Sequence, residues 1–158
     1  MKNKNKLPLR IGVGIVLLNE KNNVFVGKRI DNPNNFWQMP QGGVDNKESF
    51  FEAAKRELKE ETSIESIKLI KELDAWIKYE LPKNLLGKIW KGKYRGQKQK
   101  WFIMQFTGTE EEINIKTKNP EFLEWKWIKA EKLTETVVDF KFDVYMRIKK
   151  ELKSLNLY

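Results

Sequence analysis

Three glutamates, Glu57, Glu60 and Glu61, have the spacing in this sequence that most directly suggests chemistry. They lie three and four positions apart in a segment from about Glu48 to Ser63 whose apolar residues recur at helical intervals. A helix there would gather the three carboxylates on one face, beside the edge of its apolar stripe. Gathered carboxylates repel and raise one another's pKa unless a cation neutralises them. The spacing therefore predicts a metal site, although a solvated acidic face would give the same pattern.

The residue types that the sequence lacks narrow the choice of metal. The 158 residues include no Cys and no His, which excludes thiolate zinc sites, cysteine nucleophiles and histidine triads. Any chemistry must come from carboxylates, Lys, Arg, Tyr or a hard cation bound by oxygen. We therefore expect Mg²⁺ or Mn²⁺ in the site.

The charge balance suggests the kind of partner. With 31 basic and 22 acidic residues the net charge is +9, which suits RNA or a nucleotide polyphosphate, although a coding bias toward Lys would also produce it. The longest apolar run, Ile15 to Leu18, is far shorter than a membrane span, and the basic start of the chain lacks a cleavage site for a secretion signal. We expect a cytoplasmic protein that binds neither a membrane nor DNA, with its oligomeric state left open.

The elements that must position these glutamates follow from the hydrophobic pattern. Residues 1–158 are read as a single domain, with residues 1–8 as a flexible N-terminal tail. The sequence predicts strands at 9–18, 23–29, 74–81, 101–106 and 122–128, and a C-terminal helix over 140–155. Strands interrupted by one helix and closed by another indicate the α/β class, with helices covering a mixed central sheet.

A basic segment separates two of these strands. Residues 82–100 contain seven Lys or Arg side chains and no acid, interleaved with Trp90 and Tyr94. The composition suits contact with a polyphosphate or an RNA 5′ end. A solvated loop is the alternative.

The segment around the glutamates also matches a known motif. Gly42, Glu48 and the run Arg56-Glu57-Leu58-Lys59-Glu60-Glu61-Thr62-Ser63-Ile64 stand at the spacing of the Nudix box, so the chain resembles the Nudix hydrolases. Ser63 departs from the pattern, which usually has Gly there, and is expected to strain the turn that ends the helix.

The resemblance implies a fold, an activity and roles for the box residues. The fold would be the Nudix α/β/α sandwich, and Glu57, Glu60 and Glu61 would bind Mg²⁺ at the phosphates, one of them also activating water. Arg56 would orient the carboxylates, and Glu48 would be a structural partner. Gly42 would allow the backbone to approach the metal or the phosphate closely, although an ordinary turn would also explain it.

Further segments resemble the bacterial branch of RNA pyrophosphohydrolases and dinucleoside polyphosphate hydrolases. They begin at Phe36, Tyr94, Pro120 and Val137. By this resemblance Glu121 joins the metal cluster or serves as base. The resemblance also implies phosphate or base contacts for six residues: Arg10, Arg29, Tyr79, Lys98, Phe140 and Lys141.

Two classes of function follow from these patterns. The first is a hydrolase that uses Mg²⁺ to cleave a phosphoanhydride, acting on triphosphorylated RNA, on diadenosine polyphosphates or on both. The second is a catalytically silent RNA-binding or nucleotide-sensing module on the same fold. Because such a module would be expected to lose acids of the box, and Glu57, Glu60 and Glu61 are all present, the sequence favours the hydrolase.

Overall fold

A computed structural model describes residues 7–31 and 34–158 of the protein. Its sheet is built around two long neighbouring strands. Strand β1 (Leu9–Leu18) runs parallel to β7 (Gly96–Phe106) along its whole length. The other strands are β2 (Val24–Arg29), β3 (Trp37–Gln38), β4 (Gln41–Gly43), β5 (Ile67–Glu72), β6 (Ile77–Glu80) and β8 (Phe122–Ile128). Within the described residues the sheet order is β3-β2-β1-β7-β5, while β4 pairs with β1, β6 with β7 and β8 with β2.

Successive side chains of β1 point to opposite faces of the sheet and contribute to two hydrophobic cores, one on each face. Val13, Ile15 and Leu17 face helix α1 (Phe50–Thr62), whereas Val16 and Leu18 face helix α2 (Phe142–Ser154). A strand that is apolar on both faces is typical of a sheet covered on both sides. The predicted sandwich with a mixed sheet, one box helix and one C-terminal helix is confirmed.

Most of the predicted elements are present, but several boundaries differ. β1 and β8 have their predicted limits, and β2 begins one residue late. The box helix begins at Phe50 because Ser49 caps it, and the C-terminal helix begins at Phe142. The strand predicted over 74–81 is shorter, since Ala75 is exposed and β6 begins at Ile77.

The basic segment is shorter than the sequence indicated. Residues 96–100, its last five, belong to β7, and the remainder forms a loop that contains a short 3-10 turn at Trp90–Gly92. The sequence shows no clear hydrophobic alternation at β3, β4 or β5, and these strands were not predicted.

Leu7 and Pro8, the last two residues of the tail predicted over 1–8, are held by hydrogen bonds. Leu7 and Pro8 accept hydrogen bonds from Arg95 through their carbonyls, so these two residues are fixed to the sheet. Residues 1–6 lie outside the described part of the chain. No helix within that part has the length and apolar character that a membrane crossing needs.

Candidate active site

Helix α1 places the box glutamates, and its ends are fixed by local hydrogen bonds. Ser49 and Glu52 form a capping box, in which the Glu52 amide donates to the Ser49 hydroxyl at 3.1 Å and the Ser49 amide donates to the Glu52 carboxylate at 3.3 Å. Ser63 ends the helix in the left-handed conformation with φ of 68°, as its place in the motif predicted. Its hydroxyl donates to the Asn114 carbonyl at 2.8 Å, which offsets part of the strain.

The three box carboxylates lie at different depths. Glu61 is 2% exposed, the Glu57 side chain is 14% exposed, and the Glu60 side chain is 59% exposed. All three line one cleft of about 970 Å³, together with Arg56 and Glu121. We call it the acidic cleft. The structure therefore brings Glu121 from the start of β8 to the box helix, as the resemblance implied.

Arg56 holds the loop before the helix against the carboxylates. Its guanidinium donates to Glu48 at 2.7 and 3.0 Å, to Glu57 at 2.9 Å, to Glu60 at 3.2 Å and to the Gly43 carbonyl at 3.0 Å. The predicted orienting role of Arg56 and the structural role of Glu48 fit these contacts. The hydrogen bond from Arg56 holds the pKa of Glu48 below its usual value.

Glu61 is the most deeply buried of the three box glutamates. Neither of its carboxylate oxygens has a hydrogen bond. Burial raises its pKa well above the usual value, and the charges of Glu121 and Glu57 raise it further. A buried, unpaired carboxylate is costly unless a cation meets it.

The acidic cleft fits a cation with oxygen ligands. The donors are carboxylates, the ligand type that Mg²⁺ and Mn²⁺ prefer, and Glu61 has unused lone pairs. Gly42 packs against Glu57 so closely that a Cβ there would overlap the carboxyl group. Among the described residues, no three acidic side chains are gathered closely enough to hold a metal ion in the arrangement seen here.

A second cavity, of about 480 Å³, contains four of the predicted substrate residues: Arg29, Tyr79, Phe140 and Lys141. We call it the aromatic cavity. The Phe140 and Tyr79 rings lie 5.7 Å apart at 43°, and the Lys141 ammonium lies 5.6 Å from the centre of the Tyr79 ring. Burial raises the pKa of Tyr79 to about 12. Burial, reinforced by the charge of Arg29, lowers the pKa of Lys141 to about 7.

Arg29 stands between this cavity and the acidic cleft. It makes a two-pronged ion pair with Asp31, at 2.7 Å for both contacts, and approaches Glu121 at 3.9 Å. The hydrogen bonds to Asp31 raise the pKa of Arg29, so the guanidinium stays charged. A phosphate chain that crosses from the acidic cleft to the aromatic cavity would therefore meet a fixed cation.

Arg10 lies in a separate groove of about 350 Å³, which it lines with Ile11, Glu57 and Tyr94. We call it the Arg10 groove. The guanidinium donates to Gln97 at 2.9 Å and lies 5.4 Å from the centre of the Trp90 ring. Trp90 lines the aromatic cavity, so the Arg10 groove lies beside this cavity.

The structure does not bring Lys98 together with the other predicted substrate residues. Strand alternation directs Gln97 and Tyr79 to the α2 face, whereas Lys98 lies on the α1 face, 5.3 Å from the centre of the Trp76 ring. Lys98 lines neither cavity nor the Arg10 groove. The prediction missed three residues that line the aromatic cavity: Asp31, Gln38 and Gln41. Their closeness in sequence to Arg29 or to the motif at Phe36 could have identified them.

The comparison with family models decides the family. Residues 8–148 match the model of the NUDIX domain. The chain belongs to the Nudix family. This Nudix chain is 66% identical to the RNA pyrophosphohydrolase of Pelagibacter ubique over 153 residues, with 97% of each chain covered. It is 49% identical to the RNA pyrophosphohydrolase of Roseobacter denitrificans, covering 90% of this chain and 91% of the relative.

Solved structures show the same fold at low sequence identity. The Escherichia coli dihydroneopterin triphosphate pyrophosphohydrolase superposes with a TM-score of 0.71 at 23% identity, covering 92% of the Nudix chain and 99% of that structure. A Caenorhabditis elegans Ap4A hydrolase superposes with a TM-score of 0.63 at 17% identity, covering 90% and 98%. These likenesses confirm the Nudix fold of the chain.

Proposed function

We propose that this chain is an RNA pyrophosphohydrolase that depends on Mg²⁺ and removes pyrophosphate from the 5′ end of triphosphorylated RNA. The observation that carries the proposal is the buried Glu61 carboxylate, which has no hydrogen bond, in a cleft lined by five glutamates beside a cationic and aromatic cavity. The names of relatives that match nearly the whole chain support the RNA substrate. An RNA substrate would place the reaction in the cytoplasm.

Four glutamates would hold the metal: Glu57, Glu60, Glu61 and Glu121. The close approach of Gly42 to Glu57 leaves the β4 backbone beside the same carboxylates. Mn²⁺ would suit the same ligands. When bound, the ion neutralises phosphate charge and favours ionisation of the attacking water.

The residues of the chain would divide the remaining work. Water attacks a phosphorus of the triphosphate, a phosphoanhydride P–O bond breaks, and the water proton passes to a carboxylate, with Glu121 and the box glutamates as candidates. Arg56 holds Glu57 and Glu60 in place through the hydrogen bonds at 2.9 and 3.2 Å. The products are RNA with a 5′ monophosphate, and pyrophosphate.

The aromatic cavity would hold the first part of the RNA chain. Phe140 and Tyr79 offer ring faces to a base, and Arg29 offers positive charge to phosphates. Lys141, whose pKa burial lowers to about 7, can take up a proton when a phosphate lies beside it. A diadenosine polyphosphate combines the same two groups, a phosphate chain and a base. Splitting of diadenosine polyphosphates is therefore the second activity that we propose for the site.

The test compares triphosphorylated RNA with diadenosine tetraphosphate, measuring kcat/KM for each, because the ratio of these values defines specificity. We expect a higher value for RNA, loss of turnover in EDTA, and recovery when Mg²⁺ or Mn²⁺ is added. Glu61→Gln should lower kcat by about a hundredfold or more with KM little changed. Glu135→Gln, at an exposed acid outside the acidic cleft, is the control. Turnover that survives EDTA, or that Glu61→Gln leaves intact, would contradict the metal site.

A further inference from the structure

Trp76 is a partly exposed aromatic residue outside the proposed active site. It precedes β6, and its ring packs edge-on against Phe50 of α1, with centres 5.1 Å apart and planes at 88°. The ammonium groups of Lys98 and Lys100 lie 5.3 and 5.8 Å from its centre. Contact with Phe50 fixes the ring while part of it remains open to solvent.

Positive charge is concentrated beside this ring. Lys78 and Lys98 are directly opposite each other across β6 and β7, an arrangement of like charges that destabilises a sheet. Among the described residues neither lysine has an ion pair with an acid. Lys100 donates to the Leu73 and Asp74 carbonyls, both at 2.9 Å. An anionic ligand would relieve the repulsion. We call Trp76, Lys78, Lys98 and Lys100 the Trp76 patch.

The Trp76 patch lies next to the Arg10 groove, whose lining includes Ile11 and also Glu57 of the acidic cleft. Ile11 is 46% exposed and lies opposite Lys98 in the pairing of β1 with β7. Phe50, which supports Trp76, is seven residues before Glu57 in α1, about 10 Å along the helix axis. An RNA strand that leaves the aromatic cavity past Trp90 would meet Arg10, then Ile11, and then the patch.

We propose that the Trp76 patch binds the single-stranded RNA that follows the 5′ end held in the active site. An aromatic ring beside lysines that have no acidic partner is the combination that binds a single strand without sequence preference, because every base can stack and every phosphate is charged. A mononucleotide or dinucleotide that fills the active site would not extend this far. The inference rests on the proposed RNA substrate.

The test uses the full chain and two substrates, pppApG and a triphosphorylated RNA of about ten nucleotides. The ratio of kcat/KM for the longer RNA to kcat/KM for pppApG should fall about tenfold in Trp76→Ala, through loss of stacking on one base. Lys78→Gln combined with Lys98→Gln should also lower the ratio. Lys68→Gln combined with Lys71→Gln, on β5, is the matched control and should keep the ratio of the unaltered protein.

Direct binding separates this inference from the proposed activity. A monophosphorylated RNA of the same length is titrated at several salt concentrations, which needs no turnover. The Lys78 and Lys98 variant should lose about 1.4 from the slope of log K against log salt, about 0.7 for each phosphate contact. Trp76→Ala should weaken binding without changing the slope. Lys78 is exposed, so its substitution should leave the protein folded. The lysine variant therefore still tests the inference if Trp76→Ala unfolds.

Two results would overturn the inference. One is binding of the longer RNA by the lysine variant with unaltered affinity and salt slope. The other is an equal loss of kcat/KM for both substrates, which would assign the patch to general stability. Failure of the unaltered chain to cleave either RNA, together with the expected binding changes, would instead reject only the proposed hydrolase activity.

Discussion

Lys141 is a lysine that the fold keeps at a cost in stability. Its side chain is buried, its ammonium donates to Gln38 at 3.3 Å, and it lies beside the Phe140 and Tyr79 rings. Burial lowers its pKa from 10.5 to about 7. We predict that Lys141→Met stabilises the protein at pH 6 and weakens its turnover of RNA.

The size of the effect follows from the pKa. At 1.36 kcal/mol for each pH unit, the fall from 10.5 to about 7 corresponds to about 5 kcal/mol of unfavourable burial. Methionine removes this term but leaves the Gln38 oxygen without its donor, which costs about 1–3 kcal/mol. The free energy of unfolding of Lys141→Met at pH 6 should therefore exceed that of the unaltered protein by about 2–4 kcal/mol.

The sign of the pH dependence is also fixed. Between pH 7 and pH 10.5 the unfolded chain holds a proton on Lys141 that the folded chain has released, so the stability of the unaltered protein rises with pH in this window. Below pH 7 both states are protonated and the full penalty remains. Lys141→Met should remove this rise, and its advantage should disappear as pH approaches 10.

Urea unfolding followed by tryptophan fluorescence at pH 6, 7, 8 and 9 measures these differences. Lys150→Met, at an exposed lysine of α2, is the matched control and should follow the unaltered protein. Parallel stability curves for Lys141→Met and the unaltered protein would refute the reasoning. So would a loss of stability at pH 6.

Two further predictions concern the frame of the box helix. Gly42→Ala should lower kcat by about tenfold or more while the fold is retained, because the new Cβ overlaps the Glu57 carboxyl group and displaces it. Steady-state kinetics and a thermal melt of the same variant check this prediction. Unaltered turnover would contradict it. Ser63→Gly should change the free energy of unfolding by less than about 0.5 kcal/mol, since relief of backbone strain at φ of 68° offsets the lost hydrogen bond to Asn114. Ser63→Ala keeps the strain and loses the hydrogen bond, so its free energy of unfolding should fall by about 1 kcal/mol. Urea titration of both variants distinguishes these values, and equal stability of the two would contradict the account.

Local patterns in the sequence were sufficient to predict the box helix and the face on which its charged side chains lie. The spacing of Glu57, Glu60 and Glu61 fixes their shared face, because 3.6 residues make a turn. Arg56 could be placed beside Glu60 for the same reason, and the structure adds its bonds to Glu48 and Gly43. The apolar run of β1 also predicted its own limits, since each face of this strand meets a helix.

Tertiary structure alone decided which distant residues meet. Lys98 and Tyr79 looked equivalent as cleft residues, but the pairing of β6 with β7 sends them to opposite faces of the sheet. The depth of Glu61 and the burial of Lys141 depend on elements packed from elsewhere in the chain, so no local period reports them. Glu121 reaches the box helix because β8 pairs with β2, about a hundred residues earlier in sequence, and only such long-range pairing can assemble the acidic cleft.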